Sequence, residues 1–274
     1  MRSVTLQGLT FQVDESGFER FWDKADSGRW EPSTIRLLRT CIRHGDVYVD
    51  VGGWIGPTVL LAAAFTDHVY AFEPDPVAFR TLEKNVALNP DLREHIALNE
   101  AAIWTCDGEV ELRNSKEFGD STSSLVLDVD AITASTHAVT LESARSQFVG
   151  ERVDFIKVDI EGGEYSLIPA WATYLSQHRP TLFVSMHSAY LMKHTKGWRP
   201  WVLLRLVWKG LKLYSATSHY RYRYVVSWHQ IQQGRLFDTL AAIIHSDKSV
   251  LFTDRSLAEA ELGRRGSGPD RNMR

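Results

Sequence analysis

The sequence has little cysteine and no long apolar run. Only Cys41 and Cys106 occur among its 274 residues, and no metal-binding spacing surrounds them. Two isolated cysteines argue against a disulfide framework or a cysteine zinc site, and they favour a reducing compartment such as the cytoplasm. No stretch of about 18 apolar residues occurs, so no transmembrane helix is expected. The N-terminus also lacks the apolar segment of a secretory signal.

An excess of positive charge is absent as well. The formal net charge is −3, so no global positive field would attract nucleic acid, and no nucleic-acid partner is expected. What the chain does contain is a globular composition, with 44% hydrophobic and 24% charged residues. That composition allows one large buried core, and the sequence leaves the oligomeric state open.

Strands alternate with helices along most of the chain, which predicts an α/β fold with a mainly parallel sheet and helices on both faces. We expect a single domain over residues 1–262, with a hairpin and helical lid in 1–45, a core in 46–262, and a disordered tail in 263–274. The predicted strands of the core are residues 47–51, 68–73, 96–99, 153–160, 181–186, 222–228 and 249–252.

The first candidate site is the turn between the first core strand and the next helix. It contains Asp50, Gly52, Gly53, Trp54 and Gly56. Ligands of α/β sheets bind at such carboxyl-terminal strand ends, and glycines let the backbone approach them. This turn does not match the GxGxxG motif of dinucleotide-binding proteins, which would need a glycine at the position of Val51. A dinucleotide is disfavoured for a second reason, because the carboxylate of Asp50 would repel its pyrophosphate. S-adenosylmethionine carries an ammonium and a sulfonium instead, so an acidic strand end attracts it.

The second candidate site lies at the end of the second core strand. Glu73 follows Asp50 by 23 residues and precedes Pro74. An acid about 20 residues after the glycine turn is placed to accept both hydroxyl hydrogens of a ribose. Asn99, Glu100 and Ala101 at the end of the third strand would then lie near the adenine.

These segments resemble S-adenosylmethionine-dependent methyltransferases of the FkbM type. The likeness is carried by residues 50–56 with 71–74, by 155–164, and by Trp22 with 30–32. The family usually has Ala-Asn at the positions of Gly53 and Trp54. The resemblance implies a Rossmann-like class I methyltransferase fold, with a mostly parallel seven-stranded sheet whose last strand is antiparallel. It also implies methylation of a hydroxyl on a sugar, glycan or natural-product acceptor.

Candidate catalytic residues follow the fourth and fifth core strands. Asp159, Glu161 and Glu164 cluster after the fourth strand, and His187 follows the fifth. Methyl transfer to oxygen needs removal of the hydroxyl proton, so Asp159 and His187 are candidates for a base or proton relay, with Glu161 beside them. Asp159 also counts among the expected cofactor-binding residues. The acids could alternatively hold Mg²⁺ through oxygen ligands, and the sequence leaves metal dependence open.

Other functions remain open at this point. A nicotinamide-dependent oxidoreductase and a non-catalytic binding protein on the same fold are the alternatives to an O-methyltransferase. The segment from Trp198 to Tyr214 mixes tryptophan with Arg and Lys. It is open to three interpretations: a substrate lid, a surface helix touching a membrane, or an ordinary amphipathic helix packed on the sheet.

Overall fold

The computed structural model describes residues 1–114, 117–126, 132–245 and 248–258. The chain begins with the hairpin that the sequence predicts, in which β1 (Arg2–Leu6) pairs with β2 (Leu9–Val13). Two helices follow, α1 (Glu19–Asp26) and α2 (Pro32–Cys41). The predicted tail lies entirely outside the described residues, and the division into lid and core stays a prediction.

The remaining elements mostly alternate strands with helices, although consecutive strands occur between residues 96 and 139 and again between residues 222 and 233. In chain order they are β3 (Val47–Val51), α3 (Pro57–Ala63), β4 (His68–Phe72), α4 (Pro76–Ala87), α5 (Pro90–Arg93), β5 (Ile96–Asn99), β6 (Ala102–Ile103), β7 (Gly108–Asn114), β8 (Ile132–Val139), α6 (Leu141–Ala144), β9 (Phe155–Val158), α7 (Glu164–Ala170), α8 (Ala172–His178), β10 (Thr181–Ser185), α9 (Ser188–His194), α10 (Arg199–Ala216), β11 (Tyr222–Val226), β12 (Ile231–Gln233), α11 (Leu236–His245) and β13 (Ser249–Thr253).

The main sheet has eight strands in the order β12-β11-β13-β10-β9-β3-β4-β5. Strands β5, β4, β3, β9 and β10 run parallel, whereas β13 pairs antiparallel with β10, and β11 with β13. This confirms the fold class, but the expected count of seven strands is wrong by one. The extra strand is β12, a three-residue edge strand that is too short to leave a recognisable pattern.

A second, three-stranded sheet of order β6-β8-β7 interrupts the alternation. None of the strands predicted for the core falls between residues 100 and 152, where this sheet lies. Strand β8 is eight residues long, and most of its side chains are exposed or half-buried. Its hydrophobic alternation is therefore weak, which explains why the sequence pattern does not reveal this strand.

The core occupies both faces of the main sheet. All five residues of β3 are buried. Val47, Val49 and Val51 pack into the hydrophobic cluster on one face, and Tyr48 packs into the cluster on the other. Successive side chains of a strand point to opposite faces, so β3 anchors both layers of helices. Among the described residues, no helix is long and apolar enough to cross a bilayer.

Candidate functional site

A cavity of about 250 Å³ opens where β3, β4 and β9 end. Eight of the residues singled out from the sequence line it: Gly52, Gly53, Trp54, Glu73, Pro74, Asp159, Glu161 and His187. The others lie outside this lining, namely Asp50, Gly56, Asn99, Glu100 and Ala101. The ends of four parallel strands, β3, β4, β9 and β10, therefore build one site, as the parallel topology requires.

The turn after β3 depends on a close approach between two strand ends. Gly52 has a φ of +90°, and a β-carbon built on it would lie 2.0 Å from the carbonyl oxygen of Asp159. Only glycine fits there, because backbone stands in the way. Gly53 is different, since a β-carbon on it would meet its nearest neighbour, Leu82, at 3.4 Å. Gly56 has a φ of +98° and precedes α3.

Trp54 holds a left-handed backbone, with a φ of +46°. That conformation is unusual for a bulky residue and indicates local strain held by surrounding contacts. Its amide donates to Glu73 Oε2 at 2.7 Å, and its indole Nε1 donates to the carbonyl oxygen of Gly119 at 3.0 Å. The ring packs edge-on against Phe21 and Phe18, with centroid distances of 4.6 Å and 5.6 Å. Trp54 thus forms an aromatic wall between the N-terminal helices and the glycine turn.

Glu73 lies at the end of β4 with its carboxyl group buried. The amides of Trp54 and Asp75 donate to its two oxygens at 2.7 Å and 2.9 Å. Burial raises the pKa of Glu73 to about 7, although the two backbone donors favour the carboxylate. Each oxygen keeps a free lone pair, so the group can still accept hydrogen bonds from a diol.

A buried ion pair lies beneath the cavity. Asp50 is fully buried and accepts hydrogen bonds from Tyr48, Thr58 and Lys157, the last at 3.0 Å. Lys157 Nζ also lies 3.6 Å from Asp159 Oδ2. Burial opposes the charge of Lys157, but Asp50 and Asp159 outweigh it and raise the pKa of Lys157 above its ordinary value. Asp50 is therefore paired within the protein instead of facing the cavity.

His187 lies among three carboxylates. Its Nε2 is 3.4 Å from Asp159 Oδ1 and 3.5 Å from Glu161 Oε1, and its Nδ1 is 3.4 Å from Glu164 Oε1. Burial opposes protonation, but Glu164, Glu161 and Asp159 together raise the pKa of His187 to about 10. The imidazole is consequently an imidazolium near neutral pH, with both nitrogens protonated.

Glu164 fixes this arrangement from below. It is fully buried, and its two oxygens accept the backbone amides of Gly162 and His187, each at 2.8 Å. The acidic residue at the start of α7 thereby ties the end of β9 to the end of β10. The sequence suggests a helix cap for Glu164, and the structure adds the link to His187.

Glu161 and Glu31 complete the acidic lining. Burial, opposed by His187, raises the pKa of Glu161 to about 7. Burial and Asp159 also raise the pKa of Glu31. Both residues have positive φ, +47° and +37°, as Trp54 does. Three of the strained positions of the chain therefore lie around one cavity, which is typical of functional sites.

A loop over residues 117–124 forms another wall, and Asp75 holds it. One oxygen of Asp75 caps α4 by accepting the amides of Val77 and Ala78, as the sequence predicts. The other oxygen accepts from the amide of Gly119 at 2.8 Å and from Ser123 Oγ at 2.6 Å. Asp120, Ser121, Ser123 and Ser124 line the cavity, which places hydroxyl groups there.

Several lining residues were not found by sequence reasoning. They are Phe21, Ala102, Ile103, Trp104 and Lys157. Lys157 offered a signal, because a lysine inside an otherwise apolar strand needs a buried partner. Ala102 and Ile103 occupy the wall near which Asn99, Glu100 and Ala101 were expected to act. Asn99 instead donates to the carbonyl oxygen of Ala71, and Glu100 is exposed. The cofactor role of those three residues stays a prediction.

The described part of the chain contains no cluster of side chains suited to a metal ion. There, no group of three or more His, Cys, Asp and Glu side chains is arranged to hold a metal ion. His187 lies at the centre of the acidic cluster, with its ring nitrogens 3.4–3.5 Å from oxygens of Asp159, Glu161 and Glu164.

Comparisons with solved structures show distant similarity to methyltransferases. Methyltransferase FkbM from Methylobacillus flagellatus KT aligns at 19% identity and a TM-score of 0.44, over 76% of this chain and 43% of that one. Precorrin-6y C5,15-methyltransferase from Geobacter metallireducens GS-15 aligns at 8% identity and a TM-score of 0.39, over 89% and 93%. An rRNA methylase from Streptococcus thermophilus aligns at 11% identity and a TM-score of 0.37, over 79% and 90%.

The chain thus spans less than half of the Methylobacillus flagellatus structure. None of the curated proteins compared with the chain matches it. A family profile described as "Methyltransferase FkbM domain" matches residues 50–223, which is more than half of the chain. The matched region begins at Asp50 and includes the ends of β3, β4, β9 and β10, where the cavity lies. The chain therefore belongs to the FkbM methyltransferase domain family.

Proposed function

We propose that the chain is an S-adenosylmethionine-dependent O-methyltransferase that acts on a hydroxyl of a small-molecule, sugar or glycan acceptor. The observation that carries this proposal is the cavity at the ends of β3, β4 and β9, with Glu73 on one side and the Asp159, Glu161 and His187 cluster on the other. Family membership supports methyl transfer, and it gives no support to the nicotinamide alternative.

The residues present fit the methyl donor. Glu73 can accept the two hydroxyl hydrogens of a ribose through its free lone pairs. Phe21, Trp30 and Trp54 form an aromatic wall suited to an adenine ring or a cation. The acidic lining favours a ligand that carries positive charge on sulfur and nitrogen. When bound, S-adenosylmethionine supplies a methyl group on a positively charged sulfur.

Proton removal from the acceptor is assigned to Glu161. Asp159 already pairs with two cations, since its carboxylate oxygens lie 3.6 Å from Lys157 Nζ and 3.4 Å from His187 Nε2. His187 is protonated near neutral pH and therefore cannot accept a proton there. Glu161 has only His187 beside it as a cation, and its pKa of about 7 suits a general base near neutrality. In this proposal Asp159 and His187 position the carboxylate, and the hydroxyl groups of the loop over 117–124 face the acceptor.

The first test is calorimetric titration with S-adenosylmethionine and its demethylated product, with and without Mg²⁺. We expect micromolar binding of both ligands, tighter for the cationic donor because the cavity is acidic. A Mg²⁺ effect would reopen metal assistance. Absence of binding to either ligand would overturn the proposal and favour a non-catalytic protein on this fold.

The second test follows a labelled methyl group into a panel of sugar and glycan hydroxyl acceptors. Activity should rise with pH through about 7, as Glu161 loses its proton. Glu161→Gln should lower kcat by about 100-fold and abolish that rise, since general bases contribute roughly 10²–10⁴-fold. Glu83→Gln, at an exposed position on α4, is the matched control. A wild-type rate and pH profile in the Glu161 variant would remove Glu161 from the mechanism. A label lost in mild base would indicate a carboxyl acceptor instead of a hydroxyl.

A further inference from the structure

Helix α10 is apolar on two faces, although only one face packs against the protein. Its inner residues Val202, Leu206 and Leu213 are buried, and Gly210 lies close to Ile243 and Ile244 of α11. A second line of apolar side chains faces outward, spaced three or four residues apart. We call it the outer stripe, and it consists of Trp198, Trp201, Leu204, Trp208 and Leu211, which are 47–69% exposed.

Such a stripe is unusual on a protein surface. Residues three and four apart lie on one side of a helix, so these side chains form a continuous apolar strip that includes three of the nine tryptophans in the chain. Isolated exposed leucines are ordinary, but contiguous exposed apolar surface marks an interaction site. The helix needs only its inner face for folding, since one apolar stripe suffices to pack a surface helix.

Positive charge borders the outer stripe. Arg205 and Lys212 are exposed on α10, and Lys212 Nζ lies 3.6 Å from the centroid of the Trp208 ring. Burial, and to a smaller extent the neighbouring Arg205, lower the pKa of Lys209 on the same helix. Within the described part of the chain, none of Arg205, Lys209 and Lys212 pairs with a carboxylate.

The charge separation extends well beyond this helix. From Tyr165 to Phe237 the sequence contains ten Lys and Arg and no Asp or Glu. Because the whole chain has a formal charge of −3, everything outside this segment carries −13. The surface around α10 therefore attracts anions, even though the protein as a whole is acidic.

A groove beside the outer stripe combines the same two properties. It measures about 120 Å³ and lies between α9 and α10, with Leu191, Met192 and Leu206 among its apolar lining. Arg205 and Lys209 line it as well. Helix α9, which forms one side of the groove, begins directly after His187 of the candidate active site.

We propose that the outer stripe and its bordering cations dock the protein onto an anionic membrane surface. Tryptophan prefers the interface between lipid and water, leucine adds buried apolar area, and Lys and Arg are attracted to anionic headgroups. A symmetric dimer in which two outer stripes meet is disfavoured as the occupant, because it would bring Arg205, Lys209 and Lys212 of both copies together. Nucleic acid is disfavoured because bases stack on aromatic rings but leave Leu204 and Leu211 without a role.

Cosedimentation with vesicles tests this proposal, and it does not depend on methyl transfer. We expect binding to vesicles that mix phosphatidylcholine with phosphatidylglycerol, and binding at least about tenfold weaker to phosphatidylcholine alone or at high salt. Lipids with brominated acyl chains should quench the tryptophan fluorescence of the wild-type protein on binding.

Two variants locate the surface. The triple variant Trp198→Ser, Trp201→Ser and Trp208→Ser should abolish the quenching and reduce vesicle binding at least about tenfold. Arg205→Glu with Lys212→Glu should remove the preference for anionic lipid. Arg80→Glu with Arg93→Glu, at exposed positions on α4 and α5, is the charge-matched control and should bind as the wild type does. All substituted residues are exposed, so the thermal unfolding midpoint should stay close to that of the wild type.

Four results would overturn the proposal. The first is equal binding to neutral and anionic vesicles, and the second is equal loss of binding in the control variant. The third is a dimer, measured by sedimentation equilibrium, that the tryptophan substitutions dissociate. The fourth is tight binding of single-stranded RNA in place of vesicles.

Discussion

The adjacent glycines Gly52 and Gly53 differ in how much space surrounds a β-carbon. Gly52→Ala would place a methyl group against the carbonyl oxygen of Asp159 at a position with positive φ. We expect it to lower the free energy of unfolding by at least about 2 kcal/mol, because backbone cannot yield as a flexible side chain can. Gly53→Ala meets only side chains at ordinary contact distances, so we expect a change within about 1 kcal/mol.

Urea unfolding of the two variants measures this difference. The Gly53 variant is the matched control, since it makes the same chemical change one residue along the same turn. Equal losses of stability would mean that the approach of Gly52 to the end of β9 does not constrain the fold.

Glu73 should make stability depend on pH. Its pKa is raised from 4.5 to about 7, so the folded state holds a proton that the unfolded state releases in that range. The resulting stabilisation is complete below pH 4.5 and is lost as the pH rises through about 7. Relative to Glu73→Gln, the wild type should lose roughly 3 kcal/mol of unfolding free energy between pH 5 and pH 8.

Unfolding by urea at several pH values checks that prediction. Glu83→Gln again serves as the control, because that side chain is exposed and should leave the pH dependence unchanged. A constant difference between the wild type and the Glu73 variant across this range would show that Glu73 titrates normally.

At the scale of elements, Asp75 joins a helix to a loop. Asp75→Ala removes the cap of α4 and also leaves the amide of Gly119 and the hydroxyl of Ser123 without their acceptor. We expect a loss of about 2–4 kcal/mol in unfolding free energy, and faster hydrogen exchange in residues 119–124. Thr140→Ala is the matched control, since Thr140 caps α6 but makes no contact with this loop.

The control should lose only about 1 kcal/mol and leave the exchange of residues 119–124 unchanged. Urea unfolding and hydrogen exchange read by mass spectrometry give both quantities. If the two variants lose the same stability and exchange alike, Asp75 acts as a helix cap alone.

Elements with local signals were predictable from sequence, and elements without them were not. Asp75 and Pro76 predict the start of α4, and the β-branched run before Gly52 predicts β3. Helix α1 has no side-chain cap at its N-terminus. The N-cap residue of α9, His187, makes no capping hydrogen bond with its side chain either, so neither helix start is visible in the sequence. Strand β12 is short, and β8 is largely solvated, which removes the periodicity that marks a strand.

At the scale of the whole molecule, sequence order predicts which strand ends meet but not which side chains face one another. Glu73, Asp159 and His187 were brought together by the parallel topology alone. The pairing of Asp50 with Lys157, and the cationic state of His187, depend on distances that no spacing in the sequence specifies. Glu31 and Phe21 reach the cavity from the N-terminal helices, through tertiary packing that leaves no local pattern.

The uneven distribution of charge along the chain sets a segment of ten cations and no acid against a remainder with a formal charge of −13. The calculated isoelectric point of 6.4 describes the whole chain, and it does not show that one segment is basic and the remainder acidic. We expect a chain with this charge distribution to orient at a charged surface, such as a resin bead, an electrode or a cell. The acid-free segment that contains α10 turns toward negative charge, while the rest of the chain turns away from it. We therefore expect a cation exchanger to retain the protein through this basic segment even above its isoelectric point.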